Sequence, residues 1–157
     1  MAELQLVVFG IGREEFGIDI SRVREIVRLQ SITAIPQSPD FVEGIVNLRG
    51  QIVPIVDLCR RFDVASDSVA DESRRRIIVV NLEEQNVGVL VDGVSEILRI
   101  PGESIEPTPP IVAGDVNGAA SDFIRGVAKV ENRLIIMLDL DRMFTFEERS
   151  VLNRSTK

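Results

Sequence analysis

Two aspartates, Asp57 and Asp139, each follow a short apolar run, and paired carboxylates are the chemistry of an aspartic hydrolase. Such a dyad needs a small hydroxyl residue and a glycine after each aspartate, whereas Leu58-Cys59 and Leu140-Asp141 follow here. An aspartate between an apolar strand and a helical pattern is also a favoured helix N-cap. The sequence therefore predicts two N-caps, and the Asp57/Asp139 hydrolase is retained as an alternative.

Three other motifs could carry chemistry, and each has a simpler structural explanation. Gly10 and Gly12 would need a third glycine where Glu15 stands, and a strand is expected after them, so no dinucleotide-binding loop is predicted. Cys59 has no histidine to activate it, which favours a packed thiol over a nucleophile. The Arg74-Arg75-Arg76 run opens an apolar strand and is interpreted as a solvated strand edge.

The composition argues against catalysis. The sequence has no histidine, tryptophan or tyrosine, so the commonest general base and the commonest metal ligand are both missing. We expect a protein that is not an enzyme and that uses no cofactor or metal. A net charge of -7 disfavours nucleic acid, although a barrel-type RNA-binding protein is retained as a second alternative.

The location of the protein is predicted from what its sequence lacks. Neither a secretory leader nor an apolar run near the roughly 18 residues of a membrane span is present. The single cysteine cannot form an internal disulfide. A cytoplasmic protein without direct membrane insertion is expected.

The chain contains an internal repeat. Gly17-Ile18-Asp19-Ile20 aligns with Gly88-Val89-Leu90-Val91, 71 residues later, and Ile52 to Leu58 aligns with Leu134 to Leu140, 82 residues later. The change of offset indicates an insertion in the second copy within Ile111 to Asp122. Two copies of one small fold should pack side by side and leave a groove between them for a partner.

Each copy has about five short apolar strands, which suits a small closed barrel. The predicted fold is all-β, with two tandem five-stranded barrels and short helices. The expected domains are a first barrel at residues 1–62, an acidic linker at 63–74, a second barrel at 75–144 and a helical tail at 145–157.

Arg49 is the strongest candidate for a binding residue on spacing alone. It lies beside Gly50 at the predicted tip of a hairpin whose two strands are apolar. A rigid scaffold of this kind directs a guanidinium outward, where it can fork onto a carboxylate. A simple surface turn is the alternative, because the second copy has Glu131-Asn132-Arg133 there.

Several segments together resemble the CheW family of bacterial chemotaxis coupling proteins. The most specific is Phe41 to Leu58, which contains Asn47-Leu48-Arg49-Gly50 followed by an apolar strand with a proline. Val87 to Val94, Phe16 to Ile26 and Phe123 to Gly126 also fit, so the resemblance covers the chain from about Leu4 to Phe144. The resemblance implies two barrels of the Src-homology-3 (SH3) type and a scaffold without catalysis.

The resemblance also implies two protein partners. One is the cytoplasmic hairpin of a methyl-accepting chemoreceptor, contacted by the positions that match Val23, Glu25, Ile26 and Arg49. The other is the regulatory domain of the CheA-type histidine kinase, contacted by the positions that match Glu43, Gly44 and Ile52. The protein would then be cytoplasmic and associated with membrane receptor arrays through protein contacts.

Overall fold

The computed structural model describes residues 3–38, 42–61, 72–82, 84–107 and 124–143. Predictions for most of the acidic linker, for the Ile111 to Asp122 insertion and for the helical tail lie outside these residues. The strands are β1 (Glu3–Ile11), β2 (Glu14–Asp19), β3 (Val23–Arg28), β4 (Val42–Leu48), β5 (Gln51–Asp57), β6 (Arg76–Leu82), β7 (Gln85–Val91), β8 (Gly93–Pro101), β9 (Ile105–Glu106), β10 (Ile124–Val130) and β11 (Arg133–Leu138). One α-helical turn, α1 (Leu58–Arg61), and 3-10 turns at Ile20–Arg22, Glu72–Arg74, Gly102–Ser104 and Leu140–Arg142 complete the described elements.

The all-β prediction is confirmed, and the strands form two SH3-like barrels. We call them the five-stranded barrel, with strand order β3-β6-β7-β5-β4, and the six-stranded barrel, with order β8-β1-β2-β11-β10-β9. The sixth strand is the short β9, which pairs with β10 at two positions. The predicted count of five strands in each barrel is therefore one short for the second.

The strand pairing differs from the expectation of one barrel per repeat. β1 and β2 come from the first repeat but pair with β8 and β11 of the second. β6 and β7 come from the second repeat but pair with β3 and β5 of the first. Each repeat thus gives its N-terminal hairpin to the other, and residues 1–62 and 75–144 are not separate barrels.

The exchanged strands are buried on both faces because each barrel has its own core and a third core joins them. In β1, Leu6 and Val8 point into the core of the six-stranded barrel. Val7 and Phe9, on the opposite face, belong to a cluster that also contains Ile78 of the other barrel. Strands buried on both sides should read as continuous apolar runs, as Leu6 to Phe9 does. We call this third cluster the shared core.

The chain crosses between the barrels at two places. The first crossing is the 3-10 turn Ile20–Arg22, and the second is Asp92, between β7 and β8. Asp92 is buried; its backbone N–H donates to the Gly10 carbonyl over 3.0 Å, and its carboxylate accepts the Gly12 N–H over 2.8 Å. The second crossing is therefore tied to the β1–β2 hairpin.

Candidate functional site

The β4–β5 hairpin directs Arg49 onto Glu25. Arg49 and Gly50 both have positive φ angles, 49° and 86°, as a two-residue type I′ turn requires. The Asn47 side chain accepts a hydrogen bond from the Gly50 N–H at 2.8 Å, which fixes the turn. The Arg49 guanidinium then forms an ion pair with Glu25 on β3. Two of the predicted receptor residues, distant in sequence, are thus in direct contact.

The other two predicted receptor residues lie on the opposite face of β3. Val23 and Ile26 pair across the sheet with Val80 and Ile78, whose side chains belong to the shared core. Directly paired residues point to the same side of a sheet. Val23 is accordingly half-buried against the shared core, whereas 37% of Ile26 is exposed at its edge. Of this pair, Ile26 is therefore the residue that reaches the surface.

Glu25 and Arg49 line a small polar cleft at one end of the five-stranded barrel. Its volume is about 210 Å³, and its other lining residues are Leu48, Gln51, Val53, Val79 and Asn86. Glu25 is half-buried there, while Arg49 is largely exposed. The cleft is too small for a folded partner, so the arrangement presents an exposed guanidinium at the surface rather than an enclosed ligand site.

The predicted kinase residues are spread along the β4–β5 hairpin. Glu43 lies near the start of β4 and forms an ion pair with Arg60 at 3.2 Å. Ile52 is 42% exposed and pairs with Asn47, close to the tip that carries Arg49. Glu43 lies four positions before Asn47 on β4, or about 14 Å away. Ile52 therefore lies nearer to Arg49 of the receptor set than to Glu43.

Gly44 is needed by the fold itself. It is buried at a β-bulge with a φ of 151°, and a Cβ atom on it would lie 2.2 Å from the Thr33 carbonyl oxygen. The backbones of Thr33 and Ile45 exchange two hydrogen bonds of 2.9 Å at this point. The requirement for glycine at position 44 is therefore explained by the fold, without reference to any partner.

The six-stranded barrel repeats the apolar part of this surface. Large hydrophobic side chains are exposed at four positions in the described part of the chain, and they form two repeat-related pairs: Ile26 with Ile97, and Ile52 with Leu134. A glutamate–arginine contact also recurs, because Glu96, the equivalent of Glu25, contacts Arg133 at 2.9 Å.

The charges of the two surfaces nevertheless differ. Glu131 occupies the turn position of Arg49 and has the same positive φ. Arg133 begins β11 and also binds Glu15 at 2.7 Å, which lowers the pKa of that carboxyl group. The barrels therefore share apolar positions but not the charges beside them.

The two aspartates of the hydrolase alternative act as caps, as predicted. Asp57 accepts a hydrogen bond from the Cys59 N–H at 2.9 Å at the start of α1. Asp139 accepts one from the Asp141 N–H at 3.1 Å at the start of its 3-10 turn. Each carboxylate serves its own helical turn, and this geometry offers no support for a shared catalytic dyad.

A buried charged cluster at the second crossing was missed by the sequence analysis. Arg75 contacts Asp57 at 3.5 Å and Asp92 at 3.9 Å, and its side chain is 14% exposed. The prediction of a solvated strand edge is therefore wrong for Arg75, because two carboxylates from different parts of the chain hold it inside. Asp92, a charged residue after the apolar run of β7, was the available signal.

Cys59 is a packed thiol, as predicted. It is buried, and its sulfur lies 3.7 Å from an Asp92 carboxylate oxygen. Burial raises the pKa of the thiol to about 11, and the carboxylates of Asp92 and Asp57 add to the rise. A thiol held in its neutral form is a poor nucleophile.

Two kinds of site were sought across the described residues. No cluster of three or more histidine, cysteine, aspartate or glutamate side chains within those ranges could hold a metal ion. Within the same ranges, none of the helices is long and apolar enough to cross a membrane.

Comparisons with known proteins agree on one family. A family model described as a CheW-like domain matches residues 5–148. The chemotaxis protein CheW of Rhizobium meliloti is 39% identical over 146 residues, which are 92% of this chain and 90% of that protein. The chemotaxis protein CheW of Klebsiella aerogenes is 35% identical over 153 residues, covering 98% of this chain and 89% of that protein.

A solved structure supports the same assignment. The crystal structure of the scaffolding protein TtCheW from Thermoanaerobacter tengcongensis superposes with a TM-score of 0.81 at 38% sequence identity. The match covers 94% of this chain and 92% of that one, so it includes both barrels. Sequence and fold therefore lead to the same conclusion: the chain belongs to the CheW-like family of chemotaxis scaffold proteins.

Proposed function

We propose that this protein is an adaptor that couples the cytoplasmic hairpin of methyl-accepting chemoreceptors to the regulatory domain of a CheA-type histidine kinase. The observation that carries the proposal is the end strand β3, which presents exposed Ile26 on one face and the Glu25–Arg49 ion pair on the other. Protein interfaces concentrate their energy in a few apolar and arginine anchors of this kind. The adaptor would act in the cytoplasm at the receptor tips and would need no catalytic group.

The receptor face consists of Val23, Glu25, Ile26 and Arg49. The receptor hairpin is helical, and an apolar strand edge beside a charged rim suits helix-in-groove recognition. Val23 continues the apolar surface inward to the shared core, and Ile26 forms its exposed end. Arg49 is 75% exposed, so its guanidinium can exchange Glu25 for a carboxylate of the receptor or use both.

The kinase face consists of Glu43, Gly44 and Ile52 on the β4–β5 hairpin. Ile52 supplies the exposed apolar group and Glu43 the charge at the far end of the hairpin. Gly44 contributes by holding the bulge against Thr33 rather than by a side chain. Because Ile52 lies near the Arg49 tip, the two partner faces would adjoin on the five-stranded barrel.

The receptor proposal is tested with Ile26→Ala and its repeat equivalent Ile97→Ala. Both side chains are only partly exposed, so both variants should lose a similar free energy of unfolding, about 1 kcal/mol, which urea unfolding of the two variants measures. Titration with a soluble receptor fragment should show an affinity loss of about tenfold, or about 1.4 kcal/mol, for Ile26→Ala only. Equal losses for both variants, or none for either, would exclude this receptor face.

The kinase proposal is tested in the same way with Ile52→Ala and Leu134→Ala. Binding to the isolated kinase regulatory domain should weaken for the first variant and stay unchanged for the second.

Coupling of receptor to kinase is tested with Arg49→Glu in a reconstituted receptor, adaptor and kinase mixture. This variant should lower kinase stimulation while the thermal midpoint changes little, because an exposed ion pair contributes about 0 to 1 kcal/mol. Parallel loss of stimulation and stability would give Arg49 a structural role instead.

A further inference from the structure

Three arginines gather where β3 ends and β6 begins. Arg28, the last residue of β3, lies directly opposite Arg76, the first residue of β6, in the antiparallel register. Arg74 ends the 3-10 turn that leads into β6. The cluster therefore brings three positive charges together at one corner of the five-stranded barrel.

Within the described residues, no ion pair offsets the positive charge of this cluster. Like charges directly opposite each other in a sheet are destabilising. Neither Arg28 nor Arg74 has an ion-pair partner within the described part of the chain, and Arg76 donates only to backbone carbonyls there. Five other described arginines have carboxylate partners, namely Arg22, Arg49, Arg60, Arg75 and Arg133, so what distinguishes the cluster is the direct opposition of Arg28 and Arg76 rather than the lack of partners alone.

The internal repeat shows that the fold does not require this cluster. The equivalent of Arg28 is Arg99 on β8, and it lies opposite Gln5 rather than opposite an arginine. Glu3 takes the place of Arg74. The same corner is thus close to neutral in the six-stranded barrel, whereas the five-stranded one has three arginines there and one acidic residue, Glu72, in the turn that ends at Arg74. The two corners differ in side-chain charge and not in strand arrangement, so the fold itself does not require the arginines.

The Arg76 side chain lies in a fixed orientation between two adjoining clefts. Its guanidinium donates to the Ser73 carbonyl over 2.7 Å and to the Arg75 carbonyl over 2.9 Å, which restricts its orientation. One cleft, of about 550 Å³, is lined by Arg28, Leu29, Ser73 and Arg76.

The other cleft also contains acidic groups, but these are already engaged. It has a volume of about 340 Å³ and is lined by Arg74 and Arg76 together with Gly10, Gly12, Glu15, Asp92, Gly93, Val94 and Ser95. Glu15 is held by Arg133, and Asp92 accepts the Gly12 N–H. The cleft therefore retains two arginines for an incoming anion.

We propose that Arg28, Arg74 and Arg76 form a docking site for a short acidic segment of a partner protein, which places carboxylates in the two clefts. A guanidinium matches a carboxylate with two parallel hydrogen bonds. An extended anionic polymer would be repelled by a chain of net charge -7, whereas a short acidic segment meets only the local positive charge. Arg28 lies two residues beyond Ile26 on β3, so the site adjoins the proposed receptor residues without including any of them.

The test measures binding of a fluorescent hexaglutamate peptide to the full chain by anisotropy, with hexaglutamine as the neutral control. Binding should weaken with added salt. Arg28→Gln and Arg74→Gln should each weaken it at least fivefold, while Arg99→Gln should leave it unchanged. Without peptide and in low salt, Arg28→Gln should raise the thermal midpoint, because it removes the repulsion from Arg76, and Arg99→Gln should not.

Several outcomes would overturn the proposal. It fails if hexaglutamate does not bind, or if Arg99→Gln weakens binding as much as Arg28→Gln does. It also fails if inorganic phosphate or a six-nucleotide RNA binds more tightly than hexaglutamate at equal charge, because the site would then recognise phosphate. If Arg28→Gln lowers the thermal midpoint, Arg28 stabilises the fold and its role is structural rather than ligand binding.

Discussion

The exchange of hairpins predicts that damage to one barrel loosens both. Leu6 on β1 is fully buried in the core of the six-stranded barrel. Leu6→Ala should cost about 2 to 5 kcal/mol, through lost burial and the cavity that remains. A cost near 3 kcal/mol is about a hundredfold change in the unfolding equilibrium, and it leaves a domain of ordinary stability folded.

The loss should reach the five-stranded barrel because β1 also belongs to the shared core. Val7 and Phe9 pack there with Ile78 and Val89, which are on strands of the five-stranded barrel. Opening the β1–β2 hairpin would also release the Gly12 N–H from Asp92. The six-stranded barrel therefore cannot open without exposing one side of its neighbour.

Native-state hydrogen exchange with mass spectrometry checks this coupling. In Leu6→Ala, the slowest amides of β4 and β5 should exchange about a hundredfold faster, together with those of β10 and β11. Ile55→Ala, in the core of the five-stranded barrel, should produce the same pattern in reverse. If β4 and β5 keep their protection in Leu6→Ala, the barrels are independent units and the reasoning is refuted.

Three further predictions follow from individual side chains. Val23 and Val94 are both half-buried against the shared core, so Val23→Ala and Val94→Ala should each lower the free energy of unfolding by about 1 to 2 kcal/mol. Only Val23→Ala should weaken binding of the receptor fragment. Equal affinity of the two variants in titrations would contradict the receptor face. Gly44→Ala should destabilise the protein by about 1 to 3 kcal/mol more than Gly50→Ala in urea unfolding. A Cβ atom would lie 2.2 Å from a backbone oxygen at position 44 but has no other atom within 4 Å at position 50. The reverse order of stability would refute the steric argument. The pKa of the Cys59 thiol is raised from an ordinary 9.0 to about 11, so the stability it contributes is complete below pH 9 and is lost as the pH rises towards 11. Cys59→Ala should therefore flatten the alkaline decline in thermal midpoint. An unchanged slope would mean that Cys59 is not the group responsible.

The strands and hairpins could be predicted from the sequence because their signals are local. Apolar runs define β1, β5 and β7, and the Arg49-Gly50 turn joins β4 to β5 as predicted. The contact between Glu25 and Arg49 is not local, and the sequence could only suggest that Arg49 finds some carboxylate. The family resemblance placed both residues on one face without specifying that they form an ion pair.

The pairing of the strands could not be predicted because the repeats offer equivalent edges. Leu6 and Val8 of β1 correspond to Ile77 and Val79 of β6, so either hairpin presents the same apolar pattern to either partner. A period of two residues specifies the face of a strand but not the strand beside it. The choice depends on the crossings and on the shared core, which involve residues far apart in sequence.

The proposed receptor and kinase would both have to bind the five-stranded barrel and avoid the similar surface of the six-stranded one. Ile26 and Ile97 are both exposed at equivalent positions, so apolar contact alone would let a partner bind either barrel. The charges beside them differ. Glu131 replaces Arg49 at the hairpin turn, and Gln5 lies opposite Arg99 where Arg76 lies opposite Arg28. Like charges brought together at an interface cost affinity, so charged positions can reject a wrong partner that apolar positions would accept. On this proposal, charged positions such as Arg49 would supply the selectivity between the barrels, even where the apolar side chains supply most of the affinity.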